Sequence, residues 1–312
     1  MDIIHRHQIK FEELFSVKFD ILIAACSSES RCNYLAQIPN IKAERKIALV
    51  FEENSDLLSR KVNEEIFKAN LFECYQISAF SATEIIDVLR QICHSSECDQ
   101  VKLLIDYSSM TNICYGFIIN YLVFNNLDIH HLEVYFLYTP EDSIYKAIEV
   151  KKMIKPAPVF FNRTLINTEK PVALVIGLGF NEEKIEFIVD FFKSINVLFF
   201  LPNSFVVADY SKLVRQQNEN ILKMAGKNNV YQYDASNIEE IDAKLTSICL
   251  NLRINYRIII FSFGPKTFSL ASFLLNARYP DIEIWYLPNN ESIVDYKPTG
   301  VPMVYKAILT SE

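Results

Sequence analysis

Two stretches of sequence decide the fold: DILIAACSSE at residues 20–29 and ALVIGLGFNE at residues 173–182. Each is an apolar run that ends in small residues and passes into an acidic segment suited to the start of a helix. Glu29 and Glu182 lie 153 positions apart in a chain of 312 residues. A repeat of that period would set the architecture of the whole molecule.

Further matched segments follow in the same order in both halves. They pair residues 47–51 with 197–201, 74–77 with 230–233, 101–105 with 257–261, and 133–137 with 283–287, at spacings of 150 to 156 residues. Short apolar runs that alternate with helical segments are typical of a parallel sheet covered on both faces. We therefore predict an α/β protein of two tandem Rossmann-like units, each a parallel sheet of roughly five strands with helices on both faces.

The pattern is interrupted between the two halves by the prolines Pro156 and Pro158. Paired prolines disfavour a continuous helix, so we predict a linker there. The first repeat then spans residues 1–148, the linker 149–170 and the second repeat 171–312. Residues 303–309 are expected to add one more strand or an edge element.

Composition limits the class of protein. Half of the residues are hydrophobic, which supports a folded core and excludes a disordered chain. The chain has 31 Lys and Arg and 38 Asp and Glu, a net charge of -7, which disfavours an extended nucleic-acid surface but leaves room for a local basic pocket.

The N-terminus lacks the pattern of a secretory signal, and no apolar run reaches the roughly 18 residues of a membrane span. We expect a cytoplasmic protein without a membrane partner.

The 7 cysteines are scattered, and none forms a C-x-x-C pair. This favours free thiols over a disulfide framework or a metal site.

The strongest candidate site is the turn SFGPKTFS at residues 262–269. Ligands of parallel sheets bind beyond the carboxyl ends of the strands, where helix N-termini favour anions. Gly264 permits a tight turn, Pro265 suits a helix start, and Lys266 and Thr267 supply a cation and a hydroxyl. The turn predicts contact with a phosphate or nucleotide, although an ordinary strand–helix turn with an exposed lysine explains it equally well. The spacing of a Walker loop is absent.

Gly177 and Gly179 form a G-x-G sequence after the first strand of the second half. They are candidates for ligand contact, but Glu182 stands where the dinucleotide fingerprint needs a third glycine. No cofactor is therefore predicted.

The corresponding loops of the first half carry a different set of groups. Asp106, Ser108, Ser109 and Thr111 follow the fourth strand, in a register that places Asp106 opposite Phe261 and Thr111 opposite Lys266. These groups either cap the next helix or contact a sugar or base.

Glu29 and Arg31 follow the first strand of this half. Arg31 either clamps a phosphate through its guanidinium or forms a salt bridge within the loop.

The turn Gly264-Pro265-Lys266, directly after an apolar fourth strand, resembles the Gly-Thr-Lys-type turn of the CRISPR-associated Rossmann fold (CARF) sensor family. Two such folds in one chain also resemble the fused arrangement of SAVED sensor domains. The resemblance implies that a cyclic oligonucleotide binds in a groove formed by the two repeats, with Lys266 as a ligand contact and residues 108–111 as its partner loop. Pro265 stands where the family has Thr. Because these sensors usually carry an effector and two units use up this chain, the resemblance implies either a separate effector subunit or chemistry done by one of the halves itself.

The sequence predicts a nucleotide-binding or nucleotide-sensing protein of a prokaryotic anti-phage defence system. One alternative is a nucleotide-processing enzyme that cleaves a glycosidic or phosphodiester bond, with Asp106 and Glu29 as the catalytic carboxylates. A second is a scaffold subunit of a defence complex, whose apolar helices dock a partner protein.

Overall fold

The computed structural model describes residues 1–53, 55–93, 99–125, 127–142, 155–160, 169–180, 182–194, 196–287 and 295–311. Most of the predicted linker, residues 149–154 and 161–168, lies outside these ranges, as does Cys98. The chain divides into two compact units, the first made of Met1–Ser143 with Ile293–Glu312 and the second of Ile144–Ser292. None of the described helices is both long and apolar enough to cross a membrane.

The first unit is built on a seven-stranded sheet with the order β1-β13-β6-β5-β2-β3-β4. Its strands are β1 (Asp2–Ile9), β2 (Lys18–Cys26), β3 (Lys42–Phe51), β4 (Glu73–Ile77), β5 (Gln100–Asp106), β6 (His131–Tyr138) and β13 (Met303–Thr310). Strands β4, β3, β2, β5 and β6 are parallel to one another, whereas β13 and β1 continue the sheet antiparallel. Residues 21–26 of β2 are all buried, as expected for a strand covered on both faces.

In the part of this unit that the structure describes, three α-helices and three short 3-10 helices connect the strands. The α-helices are α1 (Leu58–Ala69), α2 (Ala82–Cys93) and α3 (Asn112–Phe124), and the 3-10 helices are Phe11–Ser16, Ser30–Asn33 and Leu35–Gln37. Helix α2 packs against α3, and α1 packs against Ser30–Asn33. Right-handed crossovers require these two pairs to lie on opposite faces of the sheet.

The second unit is built on a six-stranded sheet with the order β10-β9-β8-β11-β12-β7. Its strands are β7 (Ala157–Pro158), β8 (Val172–Gly177), β9 (Asn196–Ser204), β10 (Val230–Asp234), β11 (Arg257–Ser262) and β12 (Glu283–Tyr286). Its helices are α4 (Glu182–Phe192), α5 (Tyr210–Gln217), α6 (Glu219–Ala225), α7 (Ile238–Leu252) and α8 (Lys266–Arg278), with a 3-10 turn at Lys227–Asn229. Among the described residues of this unit, five strands are parallel and one, β7, pairs antiparallel with β12.

The structure confirms an α/β, Rossmann-like architecture and corrects three details. Both sheets are mixed, with seven and six strands, because antiparallel strands extend the parallel set at its edges. The last strand, β13, belongs to the first unit and pairs with β6 along its length, so 171–312 is not one unit. Part of the predicted linker is strand β7 of the second sheet.

Candidate functional site

Both units present the carboxyl ends of five parallel strands at one edge of the sheet. In the first unit, the strand order reverses between β2 and β5, and Ala24 pairs with Asp106 near the ends of these strands. The second unit reverses between β8 and β11, where Gly177 pairs with Ser262. Such reversals are where open α/β sheets bind ligands. The predicted residues of each half lie on the loops that follow these strands.

Arg31 lies at the centre of the first edge and is held by two carboxylates. Only 3% of its side chain is exposed, and its guanidinium contacts Glu29 at 2.9 Å and Glu141 at 2.6 Å. Burial alone would lower the pKa of Arg31, but the attraction of Glu29 and Glu141 raises it above its ordinary value. Both terminal nitrogens are thus engaged within the protein. Two roles were predicted for Arg31, a phosphate clamp and a salt bridge, and the structure contains the salt bridge.

Asp106 is buried and anchors the loop that follows β5. Its Oδ1 accepts hydrogen bonds from the backbone N–H of Ser108 at 3.0 Å and from the Ser108 hydroxyl at 2.5 Å. The same hydroxyl accepts a bond from the backbone N–H of Thr139 at 2.8 Å. Asp106 and Ser108 therefore tie the loops after β5 and β6 together.

Two further hydroxyls of this loop have protein partners. Ser109 donates to Glu29 at 3.1 Å, so the structure brings Glu29, Arg31 and the Asp106 loop into one cluster. Thr111 donates to the carbonyl of Ala79 at 2.9 Å and accepts from the backbone N–H of Cys114, which makes it the N-cap of α3. Capping is one of the two roles expected from its position.

In the second unit, the loop after β11 leads directly into α8. Pro265 is the N-cap residue, and because its side chain has no acceptor, no side-chain cap is present. Lys266 begins this helix of 13 residues and is partly exposed. The backbone N–H of Phe268 donates to the carbonyl of Pro265 at 3.0 Å. The first turn of α8 carries the positive end of the helix dipole.

The glycines of this edge let two loops touch. A Cβ on Gly179 would lie 1.7 Å from the carbonyl oxygen of Phe263, and one on Gly264 would lie 2.7 Å from the carbonyl oxygen of Leu178. A Cβ on Gly177 would lie 2.4 Å from the ring of Phe268. Close packing of the loops after β8 and β11 thus explains Gly179 and Gly264, and packing of α8 against β8 explains Gly177.

Tyr233, at the end of β10, places a buried hydroxyl beside this turn. The residue is fully buried, and its oxygen lies 3.3 Å from the position of a Cβ on Gly264. It has no hydrogen-bond partner among the described residues. Burial raises the pKa of Tyr233 well above its ordinary value, so the phenol stays protonated and can donate.

Two more buried polar atoms at this edge lack a partner within the described part of the chain. They are Oδ1 of Asn218 and Oε1 of Glu182. Asn218 is fully buried, and its amide nitrogen donates to the carbonyl of Gly179 at 2.8 Å. Buried polar groups are normally paired, and a cluster of exceptions marks a place where a water or a ligand binds.

The hydrogen bonds also fix how the two halves correspond. Thr267 donates to the carbonyl of Ala235 at 2.8 Å, just as Thr111 donates to Ala79. Thr111 therefore corresponds to Thr267, and the predicted register, which placed it opposite Lys266, is wrong by one residue. In the corrected register Asp106 lies opposite Ser262, whose hydroxyl contacts that of Ser269 at 2.5 Å.

Sequence reasoning missed two residues of these edges, Glu141 and Tyr233. Glu141 follows β6, and only its place at a strand end distinguishes it from other acidic residues. Tyr233 lies one residue before the end of β10, at the position that Ile77 has in the matched segment of the first half, so the substitution of a phenol for an aliphatic side chain was an available signal.

No group of three or more His, Cys, Asp and Glu side chains within the described ranges is arranged to hold a metal ion. Comparison with models of known protein families gives no match, and comparison with curated proteins gives none either.

Proposed function

We propose that this chain binds a nucleotide, whose phosphate lies at the start of α8 in the second unit. The observation that carries the proposal is the hydroxyl of Tyr233, which is buried beside Gly264 and lacks a partner among the described residues. A hydroxyl in that condition costs free energy unless a ligand or a water accepts its hydrogen bond.

The groups around the turn suit a phosphate. The start of α8 carries the positive end of the helix dipole, the hydroxyl of Tyr233 is a donor, and Lys266 adds a positive charge. Helix N-termini with a nearby cation are a common means of binding phosphate. Thr267 is buried and bonded to Ala235, so it holds the helix start in place and does not contact the ligand.

The two units are, in this proposal, diverged copies of one Rossmann-like fold with five parallel strands. The equivalent strand orders and the matching bonds of Thr111 and Thr267 support a common origin. The copies differ at the ligand edge. The first has the guanidinium of Arg31, which is neutralised by carboxylates. The second has Lys266 at the start of a helix that has no side-chain cap.

Binding without turnover is favoured over bond cleavage. Asp106 is 3% exposed and bonded to Ser108, and Glu29 is paired with Arg31. A catalytic carboxylate must reach its substrate within hydrogen-bond distance, and neither group is free to do so. We therefore favour a sensor that passes a nucleotide signal to a separate partner, and its place in anti-phage defence rests on the resemblance of residues 264–266.

The proposal is tested by mass spectrometry of small molecules released on denaturing the purified protein, together with thermal shifts in a panel of nucleotides. Lys266→Ala should abolish co-purification and at least halve the shift. Lys223→Ala is the matched control, because Lys223 lies on α6 in the same unit, is 68% exposed and pairs with Glu219.

Tyr233→Phe separates binding from folding. Removal of an unpaired buried hydroxyl should leave the ligand-free protein equally stable or up to ~1 kcal/mol more stable, yet weaken nucleotide binding several-fold. The proposal is wrong if no nucleotide co-purifies with the wild type or raises its melting temperature, or if Lys266→Ala behaves like Lys223→Ala. Either result would favour the scaffold alternative.

A further inference from the structure

The crevice at the strand reversal of the second unit is flanked by the starts of two helices. Helix α4 follows β8 and α8 follows β11, and these two strands pair side by side. Ile185 of α4 belongs to the same apolar cluster as Phe199, whereas Phe268 of α8 packs against the next residue, Phe200, with 5.3 Å between the ring centroids. Neighbouring residues of a strand point to opposite faces, so the two helices leave the crevice on opposite sides of the sheet.

The two helix starts carry side chains of opposite charge. Lys266 begins α8, and Glu182 begins α4. The loops that lead to them touch, because a Cβ on Gly179 would lie 1.7 Å from the carbonyl oxygen of Phe263. A ligand in this crevice therefore has a cation on one side and a carboxylate on the other.

Two acceptor atoms on the α4 side have no hydrogen-bond partner among the described residues. They are Oε1 of Glu182 and Oδ1 of Asn218, and both atoms are buried. Asn218 is fully buried, and its amide nitrogen donates at 2.8 Å to the carbonyl of Gly179, three residues before Glu182. Glu182 as a whole is half-buried, so its carboxylate can turn toward the crevice by rotation about the side-chain bonds. Unpaired acceptors call for a ligand that donates hydrogen bonds.

The phosphate of a nucleotide does not supply such donors. A phosphate monoester is largely ionised at neutral pH, so its oxygens accept hydrogen bonds and a carboxylate repels it. The ribose does supply them, since each of its hydroxyls is a donor and one carboxylate accepts bonds from two of them. The charges of the crevice therefore favour one orientation of a nucleotide, with the phosphate toward α8 and the sugar toward α4.

We propose that the site of the second unit selects ribonucleotides: Glu182 accepts hydrogen bonds from the ribose hydroxyls, and the buried carbonyl of Asn218 is a further acceptor on the same side. This inference rests on the proposed function, because it takes the position of the phosphate from it. It makes Glu182 a specificity-determining residue, at the position where the dinucleotide fingerprint has its third glycine.

The test compares ribonucleoside monophosphates with dideoxynucleoside monophosphates of the same bases, which lack both ribose hydroxyls, and with inorganic phosphate. Binding to the full chain is measured by isothermal titration calorimetry. The wild type should bind the best ribonucleotide about tenfold or more tightly than its dideoxy analogue, because the analogue leaves buried acceptors unpaired. This comparison needs no variant, so it does not depend on the folding of one.

Glu182→Met removes the acceptor and keeps a side chain of similar length. It should reduce the preference for the ribonucleotide to less than about threefold, and leave the affinity for the dideoxy analogue and for phosphate unchanged or slightly higher, since a repulsive charge is lost. Glu183→Met is the matched control, because Glu183 lies in the same first turn of α4 and is exposed. This control should keep the preference of the wild type.

The outcomes separate this inference from the proposed function. If neither phosphate nor any nucleotide binds the wild type, the proposed function is wrong and so is this inference. If nucleotides bind but the ribose and dideoxy forms bind equally tightly, the position of the phosphate stands and the contact with ribose is wrong. A preference that Glu182→Met retains, or that Glu183→Met loses to the same extent, would also overturn the role of Glu182.

Discussion

Replacement of Arg31 by methionine tests whether this residue holds the first unit together. The change leaves two carboxylates, Glu29 and Glu141, without the cation that lies between them. Their side chains are 20% and 24% exposed, and that of Arg31 is 3% exposed. Removal of one partner of a buried pair costs about 3–5 kcal/mol, and because both carboxylates retain some water, we expect the lower end, ~3 kcal/mol. For a unit of this size that corresponds to a fall in Tm of roughly 6–12 °C.

The assay is urea denaturation followed by far-UV circular dichroism, supported by calorimetry. The matched control is Arg45→Met, since Arg45 contacts Glu73 at 2.8 Å but the two side chains are 31% and 45% exposed. An exposed pair contributes about 0–1 kcal/mol, so the control should lose no more than that.

A second variant identifies the cause. With Glu29→Gln and Glu141→Gln added to Arg31→Met, no unpaired charge remains, and more than half of the lost free energy of unfolding should return. Equal losses for Arg31→Met and Arg45→Met would refute the reasoning. So would a triple variant less stable than Arg31→Met alone, because the penalty would then not come from unpaired carboxylates.

Two further outcomes are expected. Gly179→Ala should destabilise the second unit by more than about 3 kcal/mol in the same urea assay, because its Cβ would lie 1.7 Å from a carbonyl oxygen. Gly226→Ala, with φ of +70°, ψ of 155° and no atom within 4 Å, carries backbone strain alone and should cost less, about 1–3 kcal/mol; a smaller loss at Gly179 than at Gly226 would show that the loops after β8 and β11 separate easily. Burial raises the pKa of Cys249 to about 12, so its thiol stays neutral at pH 8 and iodoacetamide should label it only after denaturation, in contrast to the partly exposed Cys74; native labelling of both at one rate, measured by mass spectrometry of peptides, would contradict its burial.

The alternation of apolar runs with helical segments was enough to predict the class of fold. Parallel strands buried on both faces need continuous apolar residues, so β2 and β8 are visible in sequence as residues 21–26 and 173–176. The edge strands β1 and β7 are not visible in this way, because they are partly exposed and their residues show no apolar run. Strand β13 has such a run, but its partner β6 is more than 150 residues away, and nothing local specifies that pairing.

The candidate site also has features that local sequence patterns predict and features that depend on tertiary packing. Chain order and the positions of the strand ends can be predicted from local patterns, and they specify which loops lie at the carboxyl edges and which charged or small residues these loops carry. The hydrogen-bond and ion-pair partners of those residues depend on the three-dimensional packing of the strands and loops. Arg31 forms a salt bridge because Glu141, which is distant in sequence, follows β6 and lies beside it. Tyr233 is an unpaired donor because its hydroxyl is buried next to Gly264, which belongs to the loop after another strand. Hydrogen bonds and burial are set by neighbours that the sheet brings together, and a linear pattern does not contain them.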